Sequence, residues 1–135
     1  MKKIMMVDDE EDQTFCMKIA LKSSYGDEYE VISACSGAEA FELLKNNVKP
    51  DLILLDIMMP EMNGWLVFEK LKENPLWKDI PVVFLTARTD NIATNAGGFL
   101  AEDFINKPVE IGELKKRIDK VLSRREKVTK EKKSL

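Results

Sequence analysis

The sequence contains no histidine and only two cysteines among its 135 residues. Cys16 and Cys35 stand apart from each other, so the chain has no ligand spacing of the kind that structural zinc sites use. We expect both to be reduced, partly buried thiols. Phosphate-binding loops are missing as well, because the sequence contains neither a Walker loop nor a GxGxxG motif. These absences exclude zinc fingers and P-loop nucleotide hydrolases.

Long hydrophobic runs are also missing. The longest, such as "VVFLTA" and "LILL", are far shorter than the ~20 residues that span a bilayer. The opening "MKKIMMVDD" has four apolar residues before an acid pair, whereas a secretory signal has a longer apolar core and a small-residue cleavage site. We therefore expect a cytoplasmic protein that does not associate with membranes.

Charge is distributed unevenly along the chain. The net charge is −3, with +4 on residues 123–135 and −7 on residues 1–122. An acidic body argues against nucleic-acid binding by the domain.

A length of 135 residues with 44% hydrophobic and 33% charged residues fits one globular domain. We predict a domain over residues 1–122, followed by a basic helix extension or linker stub over residues 123–135.

Short apolar runs alternate with helical patterns along the chain. The runs "KKIMMV", "YEVISAC", "DLILLD", "PVVFLT" and "DFIN" predict five strands. Strands that alternate with helices are parallel and joined by right-handed crossovers. "LILL" and "VVFL" do not alternate apolar with polar residues, as expected for strands covered on both faces. The sequence predicts an α/β fold, a doubly wound five-stranded parallel sheet with helices on both faces.

Helical periodicity marks the segments between these strands. The apolar stripe of the first predicted helix is Phe15, Cys16, Ile19 and Ala20, and that of the third is Trp65, Phe68 and Leu71. Ser36 and Glu39 form a capping box that opens the second. The last helix, over residues 110–123, has its stripe at Ile111, Leu114, Ile118, Val121 and Leu122. Residues 90–102 contain Gly97-Gly98, which predicts a short or mobile fourth helix.

Polar side chains follow the predicted strands at the points where they end. Carboxyl ends of parallel strands share one edge of a sheet, where ligands bind. The residues expected there are Asp8, Asp9, Asp56, Thr86 and Lys107. Two unit charges about 5 Å apart repel by ~3 kcal/mol at an effective dielectric of about 20, so three carboxylates require a cation or raised pKa values. With Lys107 offsetting one charge, a few carboxylate oxygens suit Mg²⁺ better than Ca²⁺ or Zn²⁺.

The acid pair, together with "LLDIMMPEMNG", "FLTAR" and "FINKPVE", resembles the CheY-like receiver domain of two-component response regulators over residues 2–122. The resemblance implies the flavodoxin-like strand order 2-1-3-4-5. It also implies that Asp56 accepts a phosphoryl group from a sensor histidine kinase or a phosphotransfer protein and thereby switches a surface for an unidentified output protein. Such a domain catalyses only its own phosphorylation and dephosphorylation, so we do not expect a conventional enzyme.

The resemblance also assigns roles to single residues. The implied Mg²⁺ ligands are Asp8, Asp9, Asp56 and the backbone carbonyl of Met58, with Asp9 binding directly and Asp8 binding weakly or through water. Thr86 would donate a hydrogen bond to one phosphoryl oxygen, and Lys107 would pair with another. Neutralising charge around the transferring group is what phosphoryl transfer requires of a protein.

The resemblance further implies a conformational switch in which Thr86 moves toward the phosphoryl group and Phe104 turns inward. Phe104 lacks the hydroxyl of the tyrosine found in some relatives, so the switch would depend on packing alone. Pro60 and Gly64 suit a turn that leaves Asp56 exposed. The peptide bond before Pro108 is a candidate for the cis form.

Two other functions that use an acidic or phosphate-binding site on a parallel sheet do not fit the same residues. A phosphatase of the haloacid dehalogenase type needs a second acid two residues after its nucleophile, where this chain has Met58. A flavodoxin needs a phosphate-binding loop after its first strand, and "VDDEED" would repel that phosphate. The alternative that stays open is a receiver-like interaction module that binds its partners without phosphorylation.

Overall fold

The computed structural model describes residues 1–86 and 101–134, with side chains described for residues 1–85 and 101–126. In chain order the elements are β1 (Lys2–Val7), α1 (Glu11–Tyr25), β2 (Tyr29–Ala34), α2 (Gly37–Lys45), β3 (Leu52–Leu55), α3 (Gly64–Glu73), β4 (Val82–Thr86), β5 (Asp103–Asn106) and α4 (Ile111–Ser134). A short 3-10 turn, Gly26–Glu28, joins α1 to β2. The predicted helix at residues 90–102 lies outside the described residues except for its last two positions.

The sheet has the order β2-β1-β3-β4-β5, and every neighbouring pair is parallel. This confirms the predicted fold class and strand order. Val7 lies opposite both Ala34 and Leu55, so the three strands on that side end at the same level. Thr86 lies opposite Asn106 at the ends of β4 and β5. Residues that follow these strands therefore emerge along one edge of the sheet.

The core consists of two layers, one on each face of the sheet. In β3, Ile53 and Leu55 belong to one layer, and Leu52 and Leu54 belong to the other. All four side chains are buried, which explains why this strand shows no polar alternation. Burying an aliphatic side chain of this size contributes roughly 1.5–3 kcal/mol, so the central strand holds both layers in place.

The predicted apolar stripe of α1 was wrong. Phe15 and Ile19 are 63% and 49% exposed, and Cys16 is exposed as well. The buried residues of α1 are Thr14 and Leu21, which lie on a different face of the helix from the predicted stripe. Thr14 enters the core because its hydroxyl donates to a backbone carbonyl within the helix at 3.3 Å. A polar residue on the core-facing side conceals the true stripe from hydrophobic periodicity.

The remaining helices follow their predicted signals more closely. Ser36 accepts a hydrogen bond from the Glu39 amide at 3.1 Å, as a capping box requires, whereas the Glu39 carboxylate reaches the amide of Cys35 instead of that of Ser36. Phe68 and Leu71 of α3 are buried. Both cysteines are free thiols, and Cys35 is partly buried as expected. Cys16 is exposed, so the expectation that it is partly buried was wrong.

The final helix, α4, continues without interruption past the predicted domain boundary at residue 122. Its buried residues are Leu114, Ile118, Val121 and Leu122, as the predicted stripe requires. Four residues after Leu122 in α4, Glu126 accepts a hydrogen bond from the Lys2 ammonium at 2.7 Å. Among the described residues, no helix combines the length and the apolar character needed to cross a membrane.

Candidate functional site

Three carboxylates meet at the edge where β1 and β3 end. The Asp8 amide donates to the Ala34 carbonyl at 3.0 Å, and the Asp56 amide donates to the Val7 carbonyl at 2.9 Å. The sheet hydrogen bonds thus extend one residue beyond each strand and fix both aspartates. Oxygens of Asp8, Asp9 and Asp56 all lie within 4.8 Å of one another. Sequence reasoning placed these three residues at one edge, and the structure brings them together.

Asp56 is buried, with 7% of its surface exposed, so the expectation that the following turn exposes it was wrong. The loop after β3 folds back over this residue because the Gly64 amide donates to the Ile57 carbonyl at 2.8 Å. A Cβ atom on Gly64 would lie only 2.3 Å from the backbone oxygen of Asp56. Gly64 therefore allows a close approach of two backbone segments, in addition to forming a turn.

Lys107 reaches the same cluster from the end of β5. Its ammonium donates to Asp8 Oδ2 at 2.6 Å and to Gln13 Oε1 at 2.9 Å. The side chains of Lys107 and Asp8 are 18% and 6% exposed, so solvent screens this ion pair less than it screens a surface pair. The Lys107–Pro108 peptide bond is cis.

The electrostatics of the cluster favour a bound cation. Burial raises the pKa of Asp56 to about 6, and the neighbouring charge of Asp8 adds to this rise. The ammonium of Lys107 and the backbone amides of Met58 and Ile57 oppose it. The single positive charge of Lys107 thus does not balance the negative charge of three carboxylates. The cluster presents carboxylate oxygens, which suit a hard divalent ion such as Mg²⁺.

The other predicted site residues lie around this cluster. Thr86 ends β4 opposite the end of β5, which places its backbone at the acidic edge, and its side chain is outside the described set. Met58 lies two residues past Asp56, and its carbonyl as a metal ligand stays a prediction. Phe104 in β5 stacks on Phe84 with ring centroids 5.2 Å apart and an interplanar angle of 16°.

Sequence reasoning missed two contacts close to the site. Gln13 binds the Lys107 ammonium, a partner 94 positions away, and no local pattern signals such a pair. Trp65 contacts Phe84 and Phe104 at centroid distances of 4.7 and 6.1 Å. The predicted apolar stripe of α3 already placed Trp65 toward the core. The stripe did not indicate that Trp65 contacts Phe104, the predicted switch residue.

Comparison with known proteins supports the same interpretation. Residues 4–119 match the family model of the response regulator receiver domain. The chain belongs to this family. Its receiver domain is 38% identical over 128 residues to the response regulator SaeR of Staphylococcus aureus, a match that covers 94% of the chain and 53% of SaeR. The chain therefore spans about half the length of the curated relatives that it matches.

Solved structures of other receiver domains have the same fold. The signal receiver domain of a histidine kinase from Syntrophus aciditrophicus is 31% identical, with a TM-score of 0.79 and coverage of 91% of each chain. The response regulator TrrA from Thermotoga maritima is 29% identical, with a TM-score of 0.76 and coverage of 90% of this chain and 99% of TrrA. TrrA was crystallised with Mg²⁺ and BeF. The predicted family is confirmed: the chain is a response regulator receiver domain of the kind found in two-component systems.

Proposed function

We propose that Asp56 accepts a phosphoryl group from the phosphohistidine of a sensor histidine kinase or of a phosphotransfer protein. A carboxylate oxygen of Asp56 attacks phosphorus, the bond from phosphorus to the imidazole nitrogen breaks, and the imidazole takes up a proton. The observation that carries this proposal is the meeting of Asp56 with Asp8 and Asp9 inside 4.8 Å, beside the Lys107 ammonium. Beyond this self-catalysed transfer and the later loss of the phosphoryl group, we propose no enzymatic activity.

The donor set fits Mg²⁺, which Asp8, Asp9, Asp56 and the Met58 carbonyl would hold. When bound, the ion supplies positive charge to the carboxylates and to the transferring group. Lys107 would pair with one phosphoryl oxygen, because its ammonium already lies among the acidic side chains. Thr86 would donate its hydroxyl to another oxygen from the end of β4. The complex of TrrA with Mg²⁺ and BeF supports the same ligand pair here.

Phosphorylation would change the surface that an output protein recognises. A phosphoryl group adds negative charge and acceptor oxygens at Asp56. Thr86 would move toward these oxygens, and Phe104 would adjust its packing on Phe84. We propose that the output partner is a protein, and that the acidic body does not bind nucleic acid or membranes. A cytoplasmic location is consistent with the two free thiols, which a reducing compartment maintains.

Incubation with phosphoramidate and Mg²⁺ tests the proposal, because this donor needs no kinase. We expect a phosphorylated species, separable on a phosphate-affinity gel, that disappears with EDTA and in the Asp56→Asn variant. Asp27→Asn, which changes an exposed aspartate in the 3-10 turn, is the matched control and should be labelled like the wild-type protein. An unlabelled wild-type protein whose partner binding is unaffected by Asp56→Asn would instead support the phosphorylation-independent module.

A further inference from the structure

Gln13 closes a ring of hydrogen bonds around the base of the acidic cluster. Lys107 donates to Gln13 Oε1 at 2.9 Å, and Gln13 Nε2 donates in turn to the Glu10 carboxylate. The Glu10 amide donates to Asp8 Oδ1 at 2.9 Å, and Asp8 Oδ2 accepts from Lys107 at 2.6 Å. These four residues, which we call the Gln13 ring, connect the first turn of α1 to the residue that follows β5.

The chemistry of the ring requires a side chain that both accepts and donates at position 13. An amide does so with no net charge, since its oxygen faces the ammonium of Lys107 and its nitrogen faces the carboxylate of Glu10. A glutamate at this position would repel Glu10, a lysine would repel Lys107, and a methionine would bond to neither. Glutamine is therefore the residue type that completes the ring without altering the charge of the site.

The ring also restricts the ammonium of Lys107. A lysine ammonium is a point charge with three donors on a flexible four-carbon stem, so a single carboxylate partner leaves its position loosely defined. Here Asp8 and Gln13 accept hydrogen bonds from two of the three donors. Within the part of the chain whose side chains are described, Lys107 makes no third hydrogen bond, which leaves its third donor for an incoming phosphoryl oxygen.

We propose that Gln13 is a positioning residue that holds the Lys107 ammonium in place for phosphoryl transfer to Asp56. This inference rests on the proposed function, and it adds a residue that acts through Lys107 and not on the phosphoryl group itself. Pre-positioning a charged group lowers the cost of reorganising it during the reaction. Gln13 should thus influence the rate of transfer more than the binding of the phosphodonor.

Steady-state phosphorylation by phosphoramidate with saturating Mg²⁺ measures this effect without any contribution from a kinase. Gln13→Met, which keeps the length of the side chain and removes both hydrogen bonds, should lower kcat about fivefold and leave KM within about twofold. Ser23→Met introduces the same residue at an exposed position of α1 away from the ring and should leave both constants unchanged. Thermal unfolding of each variant checks that the fold is kept.

A double-mutant comparison separates positioning from a general structural role. In a Lys107→Met background, where no ammonium is left to position, adding Gln13→Met should cause no further loss of rate. An equal fivefold loss in both backgrounds would overturn the inference, and so would a wild-type rate in the single Gln13→Met variant. Neither result affects the proposed function, which fails only if the wild-type protein is not labelled at Asp56.

Discussion

Asp56 is subject to two opposing requirements. As a nucleophile it must be ionised, yet burial beside Asp8 favours its protonated form and raises its pKa to about 6. Lys107 and the backbone amides around Met58 reduce this conflict without removing it. The residue on which the proposed chemistry depends is therefore one that destabilises the metal-free fold at neutral pH.

The first prediction concerns the pH dependence of this destabilisation. The pKa of Asp56 is higher in the folded state, so the folded protein binds this proton more tightly than the unfolded chain does. The resulting stability is present below the ordinary pKa of 3.8 and is lost as the pH rises through about 6. In EDTA, Asp56→Asn should therefore exceed the wild-type free energy of unfolding by about 1–2 kcal/mol near neutral pH, after allowance for partial solvent screening.

Urea unfolding in EDTA measures this difference across the acidic range. The excess stability of Asp56→Asn should shrink toward zero as the pH falls through about 4, where both states carry a protonated Asp56. Asp27→Asn, at an exposed position, should match the wild-type protein throughout. A difference between Asp56→Asn and the wild-type protein that does not vary with pH would contradict the assignment of the effect to the ionisation of Asp56.

Gly64 gives a second prediction at the residue scale. A methyl group at this position would lie 2.3 Å from the Asp56 backbone oxygen and 2.8 Å from Ile57 Cα, neither of which can move without disturbing the end of β3. Gly64→Ala should lower the free energy of unfolding by about 1–3 kcal/mol, as overpacking does, and should slow phosphorylation because Asp56 shifts.

Gly112→Ala is the matched control for this change. Gly112 lies in α4 with nothing within 4 Å of an added methyl group, so alanine there should keep or raise the stability, given its higher helix propensity. Urea unfolding and phosphoramidate labelling of the two variants provide the comparison. Equal stability of both alanine variants would show that the loop after β3 relaxes more easily than the contact at Gly64 implies.

At the scale of elements, Trp65 links the start of α3 to β4 and β5. Its ring packs on Phe84 and lies 6.1 Å from Phe104, and its buried Nε1–H has no hydrogen-bond partner among the described residues. Leaving a buried N–H group without an acceptor costs free energy, so the packing of the Trp65 ring is sensitive to any rearrangement of its neighbours. We expect Trp65 to report a change in the packing of Phe104.

Fluorescence tests this expectation, because the chain has only two tryptophans. In a Trp77→Phe variant, Trp65 is the sole tryptophan, and beryllofluoride with Mg²⁺ should change its emission. The reciprocal Trp65→Phe variant should show a smaller change, since Trp77 packs on Phe41, away from β5. An unaltered emission from Trp65 in a protein that is demonstrably labelled at Asp56 would indicate that Phe104 does not move against it.

Elements with a strong local signal could be predicted from the sequence, whereas the orientation of α1 could not. The strands have short, continuous apolar runs, and both layers of the core require such runs in the centre of a parallel sheet. In α1, Phe15 and Ile19 mark a plausible core face, but Thr14 and Leu21 occupy it. The outcome depends on how the helix packs against the sheet, which periodicity does not encode.

The same distinction applies to the site. Asp8, Asp9 and Asp56 could be placed at one edge because strand ends define where they emerge. The burial of Asp56 and the contact of Gln13 with Lys107 could not, because both depend on segments distant in sequence that meet only in the folded protein. Long-range contacts of single polar side chains carry no periodic signature.

At the scale of the whole molecule, charge and length set the context in which the domain acts. Residues 1–122 carry −7 and residues 123–135 carry +4, and α4 continues past residue 122 to Ser134. The chain spans about half the length of SaeR. The receiver fold and its acidic edge are contained within the region that matches the family, residues 4–119.

The ion pair between Lys2 and Glu126 shows where the end of α4 lies relative to the phosphoacceptor site. Lys2 begins β1 and Asp8 follows its end, so the six residues of β1, roughly 20 Å at 3.3 Å per residue, separate that ion pair from the phosphoacceptor edge. Because α4 runs back along the sheet to reach Lys2, polypeptide attached beyond α4 would start at the rim remote from the chemistry. A conformational change at Asp56 would therefore have to be transmitted across the full length of the strands to affect that polypeptide.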